Sequence, residues 1–412
     1  EKLISTLETR LNRIGYNKKL SKDILIVKEI AKILNDSTKS INTKHQEIVE
    51  KFNLLGINTN SKNLIHTDSY RLIDEKINLS PTIIKELLEA KEILLKLTPI
   101  PIDRFKQFKN DFNRRYGEST MPLLHILDPE TGIGYSQKNE QGDTISLLDN
   151  IEITNNTSTK NNHTLSNIDI FLMNKILESQ KNGNKEISIN LVELEKYTIN
   201  TIQSDTMSIF FTLLDSNKVL LNEFSGSSAI NLITRFSYLE KQIKDLCMQV
   251  VNHEKECHKD CITAEIIHLP ELKSGNLLLS HALRDYEIPC VTSTQKPIEK
   301  TILLSDIQIK LVNGEKIILF SKKHKKQIIP KLSNALNYNR NSINVFRFLS
   351  DFQYQHEVPF IHFSWQGVSG LFKFFPRVNY KNIILSPAHW VVNRAELIPN
   401  KSPIDFKKNL DE

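Results

Sequence analysis

Apolar positions recur at helical spacing through the first hundred residues. Ile24, Val27, Ile30, Ile33 and Leu34 share one face, and Ile83, Leu87, Leu88 and Leu94 line a second helix over 81–97 behind Pro81. Between them, Leu64 to Tyr70 reads as a strand leaving a turn, and Pro99 and Pro101 close the stretch. Over 102–116, Phe105, Phe108, Phe112 and Tyr116 fall on one helix face. Arg104, Lys106, Lys109, Asn113 and Arg114 lie mostly elsewhere on it. Gly117 stands where a helix-ending glycine belongs. A polar Asn/Thr/Ser tract over about 150–167 predicts a mobile loop. A helix follows over 168–180, then the alternating Ile187-Ser188-Ile189, then hairpin-like strands about Ser216-Asn217-Lys218. Ser225-Gly226-Ser227-Ser228 opens a further helix that carries Leu232, Ile233, Phe236 and Leu239.

Beyond 261 the pattern turns to β, with runs at Ile266-Ile267, Thr301 to Leu304, Ile307 to Ile309 and Ile317 to Leu319. Asn313-Gly314, between the last two, is the strongest hairpin signal in the chain. The fold class expected is α+β, mixed helical segments with mostly antiparallel sheets in several subdomains. Three parts follow from the pattern: a helical subdomain over 1–100, an α+β central part over 101–260, and a β-rich part over 261–412.

Composition narrows the class without fixing it. With 39% hydrophobic and 25% charged residues, 12 glycines and 14 prolines, the chain reads as globular, not collagen-like or low-complexity. Its 412 residues suffice for a sizeable core. A net charge of +6 suits a polyanionic partner without demanding one. Four cysteines make no disulfide framework, so a reducing, cytoplasmic setting is the expectation. No apolar run reaches the roughly 18 residues of a membrane helix, so no membrane insertion is expected. Residue 1 is a Glu inside a helical pattern, and the sequence reads as a piece of a longer chain.

Candidate chemistry starts with Cys247, His253, Cys257, His258 and Cys261. His253, Cys257 and Cys261 share a face at i, i+4 spacing, but three ligands on one helix lack the fourth that a structural zinc needs. No metal is expected. There is no Gly-x-Gly-x-x-Gly or phosphate-cradling loop, no Gly-x-Ser-x-Gly elbow and no His-Glu-x-x-His, which removes the common nucleotide-dependent and hydrolase readings. The run Lys322-Lys323-His324-Lys325-Lys326 reads as a charged turn or as a phosphate contact.

Several phrases are more specific. Arg115-Tyr116-Gly117 precedes Pro122-Leu123-Leu124-His125-Ile126-Leu127-Asp128-Pro129-Glu130-Thr131-Gly132-Ile133-Gly134-Tyr135. Ala264-Glu265-Ile266-Ile267-His268-Leu269-Pro270-Glu271, Ser274-Gly275-Asn276 and Leu283-Arg284-Asp285-Tyr286-Glu287-Ile288-Pro289 follow. Phe375-Pro376-Arg377-Val378 and Ile383-Ile384-Leu385-Ser386-Pro387-Ala388-His389-Trp390 come last. In this order, over about 60–395, the chain resembles the amino-terminal glutamylation domain of lantibiotic (class I lanthipeptide) dehydratases of the nisin type.

The resemblance implies a transferase that moves glutamate from glutamyl-tRNA onto Ser and Thr hydroxyls of a precursor peptide, before a separate domain eliminates it. Hydroxide is a poor leaving group and a carboxylate a better one. Glutamyl-tRNA is then a co-substrate, and no cofactor is expected. The resemblance also implies a possible homodimer and a cyclase partner for the full-length protein. Arg377 matches an arginine the family uses in glutamylation, as a phosphate or carboxylate contact. Asp128 matches an acidic position of similar standing, one that orients substrate or accepts a proton, and reads equally as a turn former before Pro129. Arg377 and Asp128 are the catalytic candidates and are expected in one cleft. Arg114, Arg115, His268, Arg284, Glu287, Lys322 and Lys323 are candidates for substrate or tRNA binding; His268, Arg284 and Glu287 read also as loop-holding residues, and Arg235 as a structural one.

Departures from the family pattern count too. Its amino-terminal arginine motif is absent. Its leader-peptide-binding winged helix is expected mostly upstream, and nothing after Trp390 resembles the elimination domain, so the fragment alone is expected to be inactive. A peptide aminoacyl-tRNA ligase of the same superfamily and a non-catalytic RNA-binding module are the alternatives.

Overall fold

Asn313 and Gly314 take left-handed φ values of 53° and 70° and close the hairpin between β7 (Ile307–Val312) and β8 (Lys316–Ser321), as the sequence predicts. The computed structural model describes residues 9, 18–58, 64, 78–98, 103–135, 165–198, 203–214, 218–269, 281–294, 296–338, 343–355 and 357–392. Residues 65–70 of the strand expected over 64–70, the Ser274-Gly275-Asn276 phrase and most of the loop expected at 150–167 lie outside them.

The β7–β8 hairpin belongs to a six-stranded sheet in the order β1-β7-β8-β9-β5-β6, adding β1 (Met121–Pro122), β5 (Ile262–His268), β6 (Tyr286–Cys290) and β9 (Lys326–Lys331). Strands β9, β5 and β6 run parallel; the other pairings of this sheet are antiparallel. Ile307, Ile309, Leu311, Ile317 and Leu319 alternate onto its buried face. Against that face pack Phe105, Phe108 and Phe112 at and along α4 (Lys106–Tyr116), Leu123 and Ile126 of α5 (Leu123–Leu127), and Phe346, Phe348 and Leu349 of α8 (Asn344–Phe352). The aromatic periodicity read from the sequence is therefore the core-facing stripe, and Gly117 ends α4 at φ 56°.

A second sheet has its own core. It joins β2 (Glu186–Ser188), β3 (Ser208–Leu213), β4 (Val219–Ser225), β10 (Phe360–Ile361), β12 (Arg377–Tyr380) and β13 (Ile383–Ser386) in the order β10-β4-β13-β12-β2, with β3 also paired to β4. Helices α3 (Pro81–Leu97) and α6 (Asn167–Lys181) contribute Leu87, Ile93, Leu94, Leu172 and Ile176 to this core. A short pair, β11 (Phe374–Phe375) with β14 (His389–Trp390), follows. Both large sheets draw strands from either side of residue 260, because β1 joins the strands after 261 and β10, β12 and β13 return to β2–β4. The class is α+β.

By contact the chain separates into Glu1–Ile77 and Asn78–Glu412. The first unit contains α1 (Lys18–Asn35) and α2 (Ile41–Leu54), which pack on each other through a seam that buries Ile24, Ile30 and Ile48. Ser40 caps α2 by accepting from the Thr43 amide. Helix α3 belongs to the second unit.

Two local expectations are corrected. Residues 226–240 form turns and one 3-10 turn, Thr234–Phe236, instead of a helix. The serine hydroxyls that were to cap it bind elsewhere: Ser227 donates to Gln353 and Ser228 to Glu254. Residues Thr301 to Leu304 form a single bridge to Glu287 and lead into a 3-10 turn, with no strand. α7 (Lys241–Cys257) follows the turns and buries Cys247 and Val251 against Ile230 and Leu283.

Phe348 touches the rings of Phe105, Phe108, Tyr135 and Phe352 at centroid distances of 5.1 to 6.3 Å. Phe348→Ala is expected to lower the unfolding free energy by about 3–5 kcal/mol, read by urea denaturation; a loss below about 1 kcal/mol would mean that the cluster does not anchor the first sheet.

Candidate functional site

Asp128 ends α5, and the chain then doubles back through Gly132-Ile133-Gly134-Tyr135. Its Oδ1 accepts from the backbone amides of Glu130 (2.9 Å) and Thr131 (2.7 Å). Those two amides, Thr131's first, hold the carboxyl below the usual carboxylate range. Asp128 is therefore ionised at neutral pH, suited to orienting a donor and poorly suited to taking a proton. Arg115 grips the same turn from the other side, with Nη2 donating to the Thr131 carbonyl at 2.8 Å and Nη1 to that of Gly132. The turn is tight: a Cβ on Gly132 would lie 2.1 Å from the His125 carbonyl oxygen and 2.5 Å from that of Ile126. Gly134 takes φ 67°.

Tyr135 completes the phrase by donating its hydroxyl to Asp351 at 2.8 Å. Asp351 is fully buried on α8 and also accepts from Arg104 at 2.5 Å and from the Tyr338 hydroxyl at 3.1 Å. The structure thus brings Asp128 and Arg115 together on one turn against the first sheet.

A second cluster lies where α7, β5, β6 and the loop after β4 meet. Arg284 is 1% exposed. Its Nη2 donates to Glu254 at 2.7 Å, and its Nε lies 3.2 Å from both Glu265 and the Ser333 hydroxyl. Glu254 also accepts from the hydroxyls of Ser228 and Thr206. Burial alone pushes the Glu254 carboxyl up, but Arg284 and the two hydroxyls outweigh it and hold the group below its ordinary value. Burial pushes Glu265 up, and the same arginine with Ser333 does not bring it back. Nearby, buried Lys331 donates to the Ser227 carbonyl at 2.9 Å. Arg284, a candidate for substrate or tRNA binding or for holding a loop, lies in the interior, because the Leu-Arg-Asp-Tyr-Glu phrase leads into β6. Glu287 is likewise buried, beside Glu265 in strand register, and accepts from the Thr294 hydroxyl. His268 donates through Nδ1 to the Cys290 carbonyl at 3.0 Å and lies 4.4 Å from the Phe346 ring centroid. The Cys290 thiol beside it is pushed up to about 12 by burial, which removes it as a nucleophile.

The remaining cations face outward. Arg377 begins β12 in the second sheet, not beside Asp128; it is half-exposed and donates through Nη1 to Glu186 at 2.7 Å, while Asn379 holds the other Glu186 oxygen at 3.0 Å. Arg114 is 81% exposed and reaches Asp111. Lys322 and Lys323 are exposed at the β8–β9 turn, where Asp306 fixes their backbone amides and the Lys323 ammonium donates to the Ile298 carbonyl at 2.7 Å. In the cysteine/histidine stretch, His258 pairs with Asp205 at 2.7 Å and His253 lies 3.8 Å from the Cys257 sulfur. Among the described residues no three or more such side chains converge as metal ligands.

Sequence reasoning missed one feature of the second sheet. β3 pairs only with β4 among the described residues, and its other edge is open. Ile209, Phe210 and Leu213 on this strand are exposed.

Outward-facing cations thus stand near both sheets, Lys322 and Lys323 at the β8–β9 turn and Arg377 on β12. The chain belongs to the lantibiotic dehydratase family: residues 4–411 match "Lantibiotic dehydratase, N terminus". It is 24% identical over 351 residues to the subtilin biosynthesis protein SpaB of Bacillus subtilis, covering 80% of this chain and 32% of that one. Its fold is similar to that of the tRNA-dependent lantibiotic dehydratase MibB from Microbispora sp. 107891, with TM-score 0.72, 16% identity, and 96% and 38% of the two chains covered. The glutamylation domain TbtB from thiomuracin biosynthesis is similar at TM-score 0.56, with 14% identity and 98% and 51% covered. The chain thus spans about a third of SpaB and somewhat more of MibB. Among the described residues no helix is long and apolar enough to cross a membrane.

Replacing Arg284 by Leu leaves the buried Glu254 and the part-buried Glu265 without their cation, a change expected to cost about 3–5 kcal/mol. Equilibrium unfolding checks it; a variant as stable as the parent would show that Arg284 does not hold this junction.

Proposed function

We propose that the chain is the part of a tRNA-dependent dehydratase that esterifies Ser and Thr hydroxyls of a ribosomal precursor peptide with glutamate. The observation that carries this reading is the family match across residues 4–411. In the reaction the peptide hydroxyl oxygen attacks the ester carbonyl of glutamyl-tRNA. The tRNA 3′-terminal ribose oxygen leaves with the proton, and the side chain becomes a glutamyl ester. That step needs a cationic surface for phosphate, a grip on the glutamate carboxylate and an oriented acceptor.

The outward cations suit the first two needs. Arg377 presents a planar guanidinium at the start of β12, oriented by Glu186, and is our choice for the carboxylate or phosphate contact. Arg114, Lys322 and Lys323 supply sequence-independent phosphate contacts. Asp128 orients a substrate amine or hydroxyl as an acceptor. Arg115, His268, Arg284 and Glu287 hold these parts in place. The open edge of β3 suits an extended precursor segment, added as a further strand with side chains beside Ile209 on one face of the sheet and Phe210 on the other. This setting is cytoplasmic, where charged tRNA is available.

Labelled glutamate supplied on tRNA to the full-length protein and its cognate peptide tests the reading: the label should appear on the peptide, and labelling only from free glutamate with ATP would refute it. Arg377→Ala in that protein should slow ester formation by roughly 100-fold while sparing elimination from a pre-glutamylated peptide; loss of elimination alone would reverse the assignment. Replacing Lys322 and Lys323 with Gln should weaken tRNA binding and flatten its salt dependence by about one to two in slope, measured by filter binding across a salt series. An unchanged slope would take the β8–β9 turn off the tRNA surface.

A further inference from the structure

We infer that Tyr135 and Asp351 are positioning residues that fix the Asp128 turn from the buried end. The inference rests on the role proposed above for Asp128. Three ties make the segment from Asp128 to Tyr135 a single body. The Gly132 amide donates to the Asp128 carbonyl at 2.9 Å, those of Ile133 and Gly134 donate to the Ile126 carbonyl at 3.0 and 3.1 Å, and Arg115 holds the carbonyls of Thr131 and Gly132. A body tied this way moves as a unit, so its far end sets the direction of its near end.

That far end is over-specified for packing alone. The Tyr135 ring stacks on Phe105 at 5.5 Å and meets Phe108 and Phe348 edge-on at 5.9 and 5.1 Å. A phenylalanine would fill the same space. What the hydroxyl adds is a direction, because it must reach Asp351 Oδ2 at 2.8 Å. Asp351 is itself immobile: Arg104 and Tyr338 fasten its Oδ1, and its side chain has no exposure. A carboxylate enclosed among aromatic rings loses hydration, and a hydrophobic residue of similar volume is often as stable or more so. Its use here is registry, fixing α8, the start of α4 and the Asp128 turn in one arrangement.

The test uses the intact enzyme and Tyr135→Phe, which keeps the ring and removes only the hydroxyl; Asp351→Asn is a second variant. Amide exchange at Glu130 and Thr131, the donors to Asp128, should quicken in Y135F while melting changes little. The single-turnover rate of glutamyl transfer should fall roughly ten- to a hundredfold with the peptide KM unchanged. In a double-mutant cycle, adding Y135F to Asp128→Asn should cost no further rate. Unchanged exchange at those two amides overturns the inference whatever the activity. A wild-type rate in Y135F beside a slow D128N overturns it but leaves the role of Asp128 standing. Independent, multiplying losses also overturn it. A wild-type rate in D128N removes the role of Asp128 and this inference with it.

Discussion

One guanidinium without access to solvent has to serve two acidic side chains from different elements. Arg284, at the entry to β6, stands between Glu254 of α7 and Glu265 of β5. Glu254 in turn takes hydroxyls from Thr206, just ahead of β3, and Ser228, just after β4. The junction between the two sheets is thus polar where each sheet's own core is apolar. Apolar contacts tolerate sliding; a network of charged hydrogen bonds has few satisfied arrangements and fixes one register. The family phrase containing Arg284 is explained by that need, before any ligand is considered.

Burial sets two of the candidate residues apart, which residue type could not do: Arg284 and Glu287 lie in the interior. Arg114, Arg115, Lys322 and Lys323 are exposed, and Arg377 and His268 half-exposed. Arg115, Arg284, Glu287 and His268 are engaged with backbone carbonyls, carboxylates, a hydroxyl or a ring of the protein. Asp128 gives one oxygen to the turn.

The fold was legible wherever a period was strong. The Phe105-Phe108-Phe112 stripe, the Pro81-led helix and the Asn313-Gly314 hairpin each carry their signal within a few residues. The stretch from Ser225 was misread because Gly226 and the serines look like a helix start, whereas their partners, Gln353 and Glu254, are distant in sequence. The same blindness to long-range partners hid Glu254, Lys331 and Asp351. Glu265 did leave a trace, as a carboxylate inside the apolar strand Ile262–His268. The family phrases named segments, but whether a given arginine faces water or the interior is decided by tertiary packing, which no spacing encodes.

The ladder between β3 and β4 slips at Phe210 and Phe211. Such a bulge bends and twists the strand locally. The extra residue, Asn222, lies on β4, so the added twist reaches β3 through its partner and keeps that edge from running flat. A strand edge that does not run flat is a poor template for a second copy of itself.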